Sequence, residues 1–170
     1  MINKRTRRLA RISILVSMAV LLNLLETIIP IPVPIPGVKL GLANIVTLVA
    51  IPLAGPADTI TVVILRCLIS SLMYGGPYWL VFSLCGGLLS VLVMILAYRF
   101  LFNYLSMIGI SILGAVTHNI GQILAACILT GDIYIMALLP VLLISAVVTG
   151  SLTGLCANLV WNSLRQESIS

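Results

Sequence analysis

An all-α integral membrane protein of about six transmembrane helices, with both termini cytoplasmic, is the fold class this sequence predicts. Three observations lead there. Hydrophobic residues fill 61% of the 170 positions and charged residues 8%, and the mean hydropathy is +1.26, which is more apolar surface than a soluble domain of this length can bury. Clusters of Pro and Gly then divide the apolar sequence into pieces near the roughly 20 residues that cross a bilayer. Basic residues, finally, gather where alternating crossings put the cytoplasm.

The elements follow in order. Lys4, Arg5, Arg7, Arg8 and Arg11 are five of the nine basic residues, and their place before an apolar run marks a cytoplasmic anchor rather than a nucleic-acid surface. No A-x-A-like site follows that run, so it is expected to stay as a span rather than be cleaved as a signal peptide. The organisation predicted is a basic segment 1–11, a single membrane domain 12–164 and a cytoplasmic tail 165–170. Candidate spans cover 12–29, 39–53, 57–73, 77–98, 107–130 and 134–162, separated by PIPVPIPG, PLAGP, GGP and TGD. The second and third are short, which suggests tilt, a break or partial insertion. Six crossings from an inside amino terminus leave the basic cluster, Arg99 and Arg165 inside and only Lys39 outside. Between the first two spans, four closely spaced prolines fix φ and remove N–H donors, giving a stiff extended segment that is either a rigid connector or a lid.

Polar groups inside the spans are candidates for function, since an ionisable residue at the bilayer centre costs about 2.5–3.5 kcal/mol on insertion scales. Arg66, midway along TITVVILRCLISSL, is either a cation facing a ligand cavity or a structural partner for Glu26 or for backbone carbonyls. In GAVTHNIGQILAA, Gly114, His118, Gln122 and Ala126 recur every four residues and form one helical stripe, with Asn119 beside it. That stripe should face the bundle interior and bond either to a ligand or to another helix. Asn23 and Glu26 share a face near the outer end of the first span, and Glu26 is a partner for Lys39 or Arg66. Ser13 and Ser17 form a small-xxx-small pair near its inner end, suited to docking another membrane helix. Ala146, Gly150, Gly154, Asn158 and Asn162 repeat the spacing of four on the last span, where close helix packing is the default reading. Trp79, Tyr78, Tyr74 and Trp161 fit interfacial belts, with a binding role as the alternative for Tyr74 or Trp79.

Much chemistry is excluded. The only acidic residues are Glu26, Asp58, Asp132 and Glu167, dispersed, with no Walker loop and no partner for the lone histidine, so catalysis by this chain alone is not expected. Neither metal nor cofactor is expected, because His118 stands without a Cys pair or acidic cluster. Cys67, Cys85, Cys127 and Cys156 are isolated in apolar runs and read as small core residues.

The segment IPIPVPIPGVKLGLANIVTL, the arginine-bearing third span and GAVTHNIGQ together resemble the small membrane proteins of the Gx transporter family, also labelled heptaprenyl diphosphate synthase component I. The resemblance extends over nearly the whole chain. Size and span count are also similar to the substrate-binding S components of energy-coupling factor (ECF) importers. That likeness implies a six-helix bundle with a ligand pocket on the outer side and a lid after the first helix. It also implies a docking motif on that helix for a membrane coupling subunit that carries two ATPases. In S components the motif usually has alanines, where this chain has Ser13 and Ser17. Prenyl diphosphate synthases hold magnesium and diphosphate on DDxxD, whereas Asp58 and Asp132 stand apart here, so the synthase label implies a noncatalytic partner at most.

The expected function is therefore binding of a small organic ligand, anionic or carbonyl-bearing, for import. Glu26, Lys39, Asn44, Arg66, His118, Asn119 and Gln122 form the expected pocket: Lys39 and Arg66 hold anionic groups and the amides fix orientation. The alternative is a noncatalytic membrane component of heptaprenyl diphosphate or quinone biosynthesis, or of membrane redox machinery.

Overall fold

Breaks in the apolar pattern become helix ends largely through glycine. Gly41, Gly55, Gly76 and Gly131 all adopt positive φ, a conformation that costs glycine little and other residues much more. A computed structural model describes residues 3–28, 41–74 and 76–167, so the proline segment and Lys39 lie outside the described residues. Six α-helices result: α1 (Lys4–Ile28), α2 (Leu42–Ala54), α3 (Pro56–Tyr74), α4 (Gly76–Leu101), α5 (Met107–Thr130) and α6 (Leu139–Glu167), the last preceded by a 3-10 turn at Ile133–Leu138. Pro56 opens α3, where a missing N–H costs no helical bond. Ser106 caps α5 by accepting the Gly109 N–H, and Asp132 caps the 3-10 turn by accepting that of Tyr134.

Among the described residues, five helices are long and apolar enough to cross a membrane. The third candidate, expected to be short, is one of them, because its helix begins at Pro56 and runs 19 residues. The second stays short: α2 has 13 residues, about 20 Å against a hydrocarbon core of about 30 Å. It tolerates that length because it is the hub of the bundle, packing on α1, α3, α4, α5 and α6. Ala43, Asn44 and all of 46–51 on α2 are buried. Leu48, Val49 and Ile51 form the main core with Met94, Ala97, Met107, Ile110 and Ala157. The basic stretch continues directly into the first span as the opening turns of α1.

Helices α4, α5 and α6 approach closely at glycine. A Cβ on Gly121 would lie 2.8 Å from the Cys85 carbonyl oxygen and 2.9 Å from Gly86 Cα, and one on Gly114 would overlap Met94. On α6, a Cβ on Gly150 or Gly154 would press within 2.8 Å of Ile112 Cα or 2.7 Å of Ile108 Cα. The Gly150–Gly154 pair is thus a packing device, with Ser111 and Thr153 hydroxyls bonded 2.9 Å apart in the same seam.

At one end of the bundle, Arg8 Nε donates to Asp58 over 2.8 Å and Arg11 Nη1 to the Leu53 carbonyl over 2.9 Å, tying the start of α1 to the α2–α3 turn. Arg7, Arg11, Leu53 and Leu164 line one groove, so α6 ends where α1 begins.

One expectation about side chains is corrected. Among the cysteines only Cys67 is in the core, while Cys85 and Cys156 are exposed on the bundle surface. A thiol is small and apolar enough for either location. Trp161, near the end of α6, is half-buried against the main core.

Candidate functional site

All six helices place residues around one polar cavity. It lies between the middle of the bundle and the end remote from the termini. The last turns of α1 bring Asn23 and Glu26, and Gly41 with the first turn of α2 brings Ala43 and Asn44. Arg66 enters from the middle of α3, Trp79 and Ser83 from α4, Ala115, His118, Asn119 and Gln122 from α5, and Thr149 from α6.

Each placement has a local cause. Gly41, in the left-handed region, turns the chain into α2 and aims its N–H at the Glu26 carboxylate, which accepts it. That charge-assisted bond fixes the carboxylate at the junction of α1 and α2. Arg66 is 6% exposed and donates from Nη2 to Asn44 Oδ1 over 3.4 Å. Its guanidinium runs beside Gly87, where a Cβ would meet Arg66 Nη2 at 3.7 Å and Cys67 Sγ at 3.2 Å. Asn44 sits on the buried face of the hub helix, so its amide is carried into the cavity by the packing of α2. His118 and Gln122 lie one turn apart and close on α4 because Gly86 lets them: a Cβ there would meet Gln122 Cγ at 2.8 Å and the His118 carbonyl oxygen at 2.9 Å. Asn119 Nδ2 donates to the Leu142 carbonyl over 2.8 Å, and Asn23 Nδ2 to Ser70 Oγ over 2.9 Å.

Six of the seven pocket residues expected from sequence therefore meet in one place: Glu26, Asn44, Arg66, His118, Asn119 and Gln122. Lys39, the seventh, lies outside the described residues. For Asn119 the helix-to-helix role is explicit in its bond to Leu142. Sequence reasoning missed Ser83 and Thr149 and left Trp79 between an interfacial belt and a binding role. Trp79 and Ser83 are spaced by four on α4 and lead to Gly86 and Gly87, a stripe that the spacing argument used on α5 would have found. Ser13 and Ser17 take no part in the cavity; both are exposed on the outer face of α1.

Chemically the cavity offers one guanidinium, one carboxylate, one imidazole, several amides and an indole. Among the described residues Arg66 Nε is buried with no hydrogen-bond partner, and leaving a charged group's donor unsatisfied in a low-dielectric interior is expensive. The volume is about 60 Å³, room for very few water molecules. Among the described residues no group of three or more His, Cys, Asp or Glu side chains could hold a metal ion.

Residues 15–160 match the family model described as heptaprenyl diphosphate synthase component I. The chain belongs to that family. A solved structure, described as the S component of a bacterial ECF transporter, superimposes with a TM-score of 0.73 at 20% sequence identity and covers 96% of this chain and 98% of that one. The component I chain is thus a multi-pass membrane protein with the S-component fold. No curated protein matches it.

Proposed function

We propose that this family member is a membrane-embedded, noncatalytic substrate-binding subunit. It captures a small organic ligand at the outer face for import and works with an energy-coupling membrane partner that carries ATPases. The observation that carries this reading is the buried guanidinium of Arg66 in a polar cavity shared by six helices, with a donor left over. An intramembrane cation without full pairing is a binding-site signature, and a ligand carboxylate, phosphate or carbonyl would supply the missing acceptor. The charge pattern puts both termini in the cytoplasm and the cavity towards the outside. Lys39 is assigned as a second cation at the mouth, and the proline segment as the lid. Ser13 and Ser17 are assigned as the docking face for the coupling subunit.

Ligand pockets for drug-sized molecules usually measure about 300–1,000 Å³, so the cavity must widen from about 60 Å³ to load. Trp79, half exposed at its edge, is the side chain assigned to swing outward.

The family description favours one second reading, a noncatalytic membrane partner of a prenyl diphosphate or quinone enzyme. Affinity purification from native membranes, with mass spectrometry of proteins and small molecules, separates the two. An ATPase pair and a retained small polar molecule, lost in Arg66→Ala, support import. A co-purified prenyl synthase or redox protein supports the second reading. A chain that is ligand-free and unchanged by Arg66→Ala overturns the binding assignment itself.

A further inference from the structure

A second cavity, distinct from the polar one, runs along the outside of the bundle towards the end that holds both termini. Its volume is about 720 Å³. Helix α2 forms its floor through Ile45, Val46, Val49 and Leu53, while α1 and α6 form its walls. It stays open because α1 and α6 both pack on α2 and, among the described residues, not on each other. The short hub helix thereby sets two long helices apart as the sides of a trench.

The lining is hydrocarbon except for Cys156 midway and two guanidinium groups, Arg7 and Arg11, at one end. These arginines are one helical turn apart and share a face of α1, whereas Arg8, on the neighbouring face, is committed to Asp58. Arg11 uses one guanidinium nitrogen on the Leu53 carbonyl, which fixes its position at the end of the trench and leaves other N–H groups to donate. Arg7 is exposed and makes no side-chain hydrogen bond or ion pair among the described residues.

Shape and charge together select the occupant. An apolar trench inside a bilayer favours hydrocarbon over water. From Arg7 to Leu22 the wall is roughly 22 Å long at the helical rise of about 1.5 Å per residue. Spread over that length, and with the radius of a water molecule added on each side, about 720 Å³ makes a trench roughly 9 Å across between atom surfaces, ample for a hydrocarbon chain. A hydrocarbon chain seats along its full length. The paired guanidiniums at the interfacial end then call for a phosphate, which Arg binds by parallel N–H donors. We infer that this trench is a specific site for an anionic membrane phospholipid, with one acyl chain between α1 and α6 and the phosphate on Arg7 and Arg11.

Reconstitution into bilayers of mixed phosphatidylglycerol and phosphatidylcholine, followed by gentle extraction and native mass spectrometry, tests this. One phosphatidylglycerol per chain is expected to survive extraction, at least fivefold in excess over phosphatidylcholine. Arg7→Gln, which breaks no internal bond, should remove most of that preference. Cys156→Trp, which fills the trench and leaves both arginines in place, should abolish retention, and a monodisperse elution profile confirms that the variant is folded. Equal retention of the two lipids, or phosphatidylglycerol retention unaffected by both variants, overturns the proposal. So does preferential retention of an added polyprenyl diphosphate over phosphatidylglycerol. A photo-reactive residue at Val160 that gives protein adducts and no lipid adducts in native membranes would assign the trench to a partner instead.

Discussion

The polar cavity and the apolar trench lie towards opposite ends of one bundle and are built by opposite rules. The cavity gathers residues from six helices and is small, at about 60 Å³; the trench uses three helices and is wide, at about 720 Å³. In lipid a polar group must find its partners within the protein, so a polar site draws its helices together. An apolar surface carries no such demand, because acyl chains solvate it as well as leucine does. Glycine makes the first arrangement attainable: Gly86 and Gly121 bring α4 and α5 into backbone contact beside His118 and Gln122. The hub helix α2 serves both regions. It carries Asn44 into the cavity and holds α1 and α6 apart at the trench.

The difference can be broken most severely at Gly121. Gly121→Leu puts side-chain atoms where the α4 backbone lies, an overpacking that costs about 1–3 kcal/mol or more. Folded yield and melting temperature should fall and ligand retention should vanish, as read by size-exclusion chromatography and thermal unfolding in detergent. Arg66→Ala comes next. It removes charge-assisted bonds worth about 1.5–3 kcal/mol, hence a loss of roughly 10- to 100-fold in ligand affinity, while lipid retention at the trench stays the same. An intact ligand affinity would take Arg66 out of the site. A smaller effect is expected for Asn119→Leu, which deletes the tie to the Leu142 carbonyl at a cost of about 1 kcal/mol and lowers the melting temperature. If ligand affinity falls by more than that stability loss explains, Asn119 also contacts the ligand. Least of all should the fold respond to Ser13→Leu with Ser17→Leu. Both positions are exposed on α1, so stability and ligand affinity should hold while co-purification of the coupling partner is lost.

Several parts of this architecture were legible before any coordinates. The helix limits at 107–130 coincide with α5, because Ser106 and Gly131 are capping residues whose chemistry is local. Charge and amide residues at wrong-looking positions, Arg66, Asn44, His118 and Gln122, identified the cavity lining, because the penalty for polarity within a span turns such side chains away from lipid and into the bundle. Trp79 was left between two readings, since an indole near a span end satisfies an interfacial rule and a cavity rule equally well. Ser83 and Thr149 were invisible because hydroxyls in membrane helices can satisfy themselves on their own backbone and so carry little signal.

Composition, charge asymmetry and the spacing of glycines were enough to establish a multi-pass helical bundle, its breaks and most of the polar residues that meet inside it. These are consequences of short-range sterics and of solvation, which act on each segment separately. The hub position of α2, the approach of α4 to α5 at Gly86 and Gly121, and the trench between α1 and α6 came from assembly. They depend on which helices touch, a property of pairs distant in the chain. A 13-residue apolar helix reads as a defective span until its five neighbours are known.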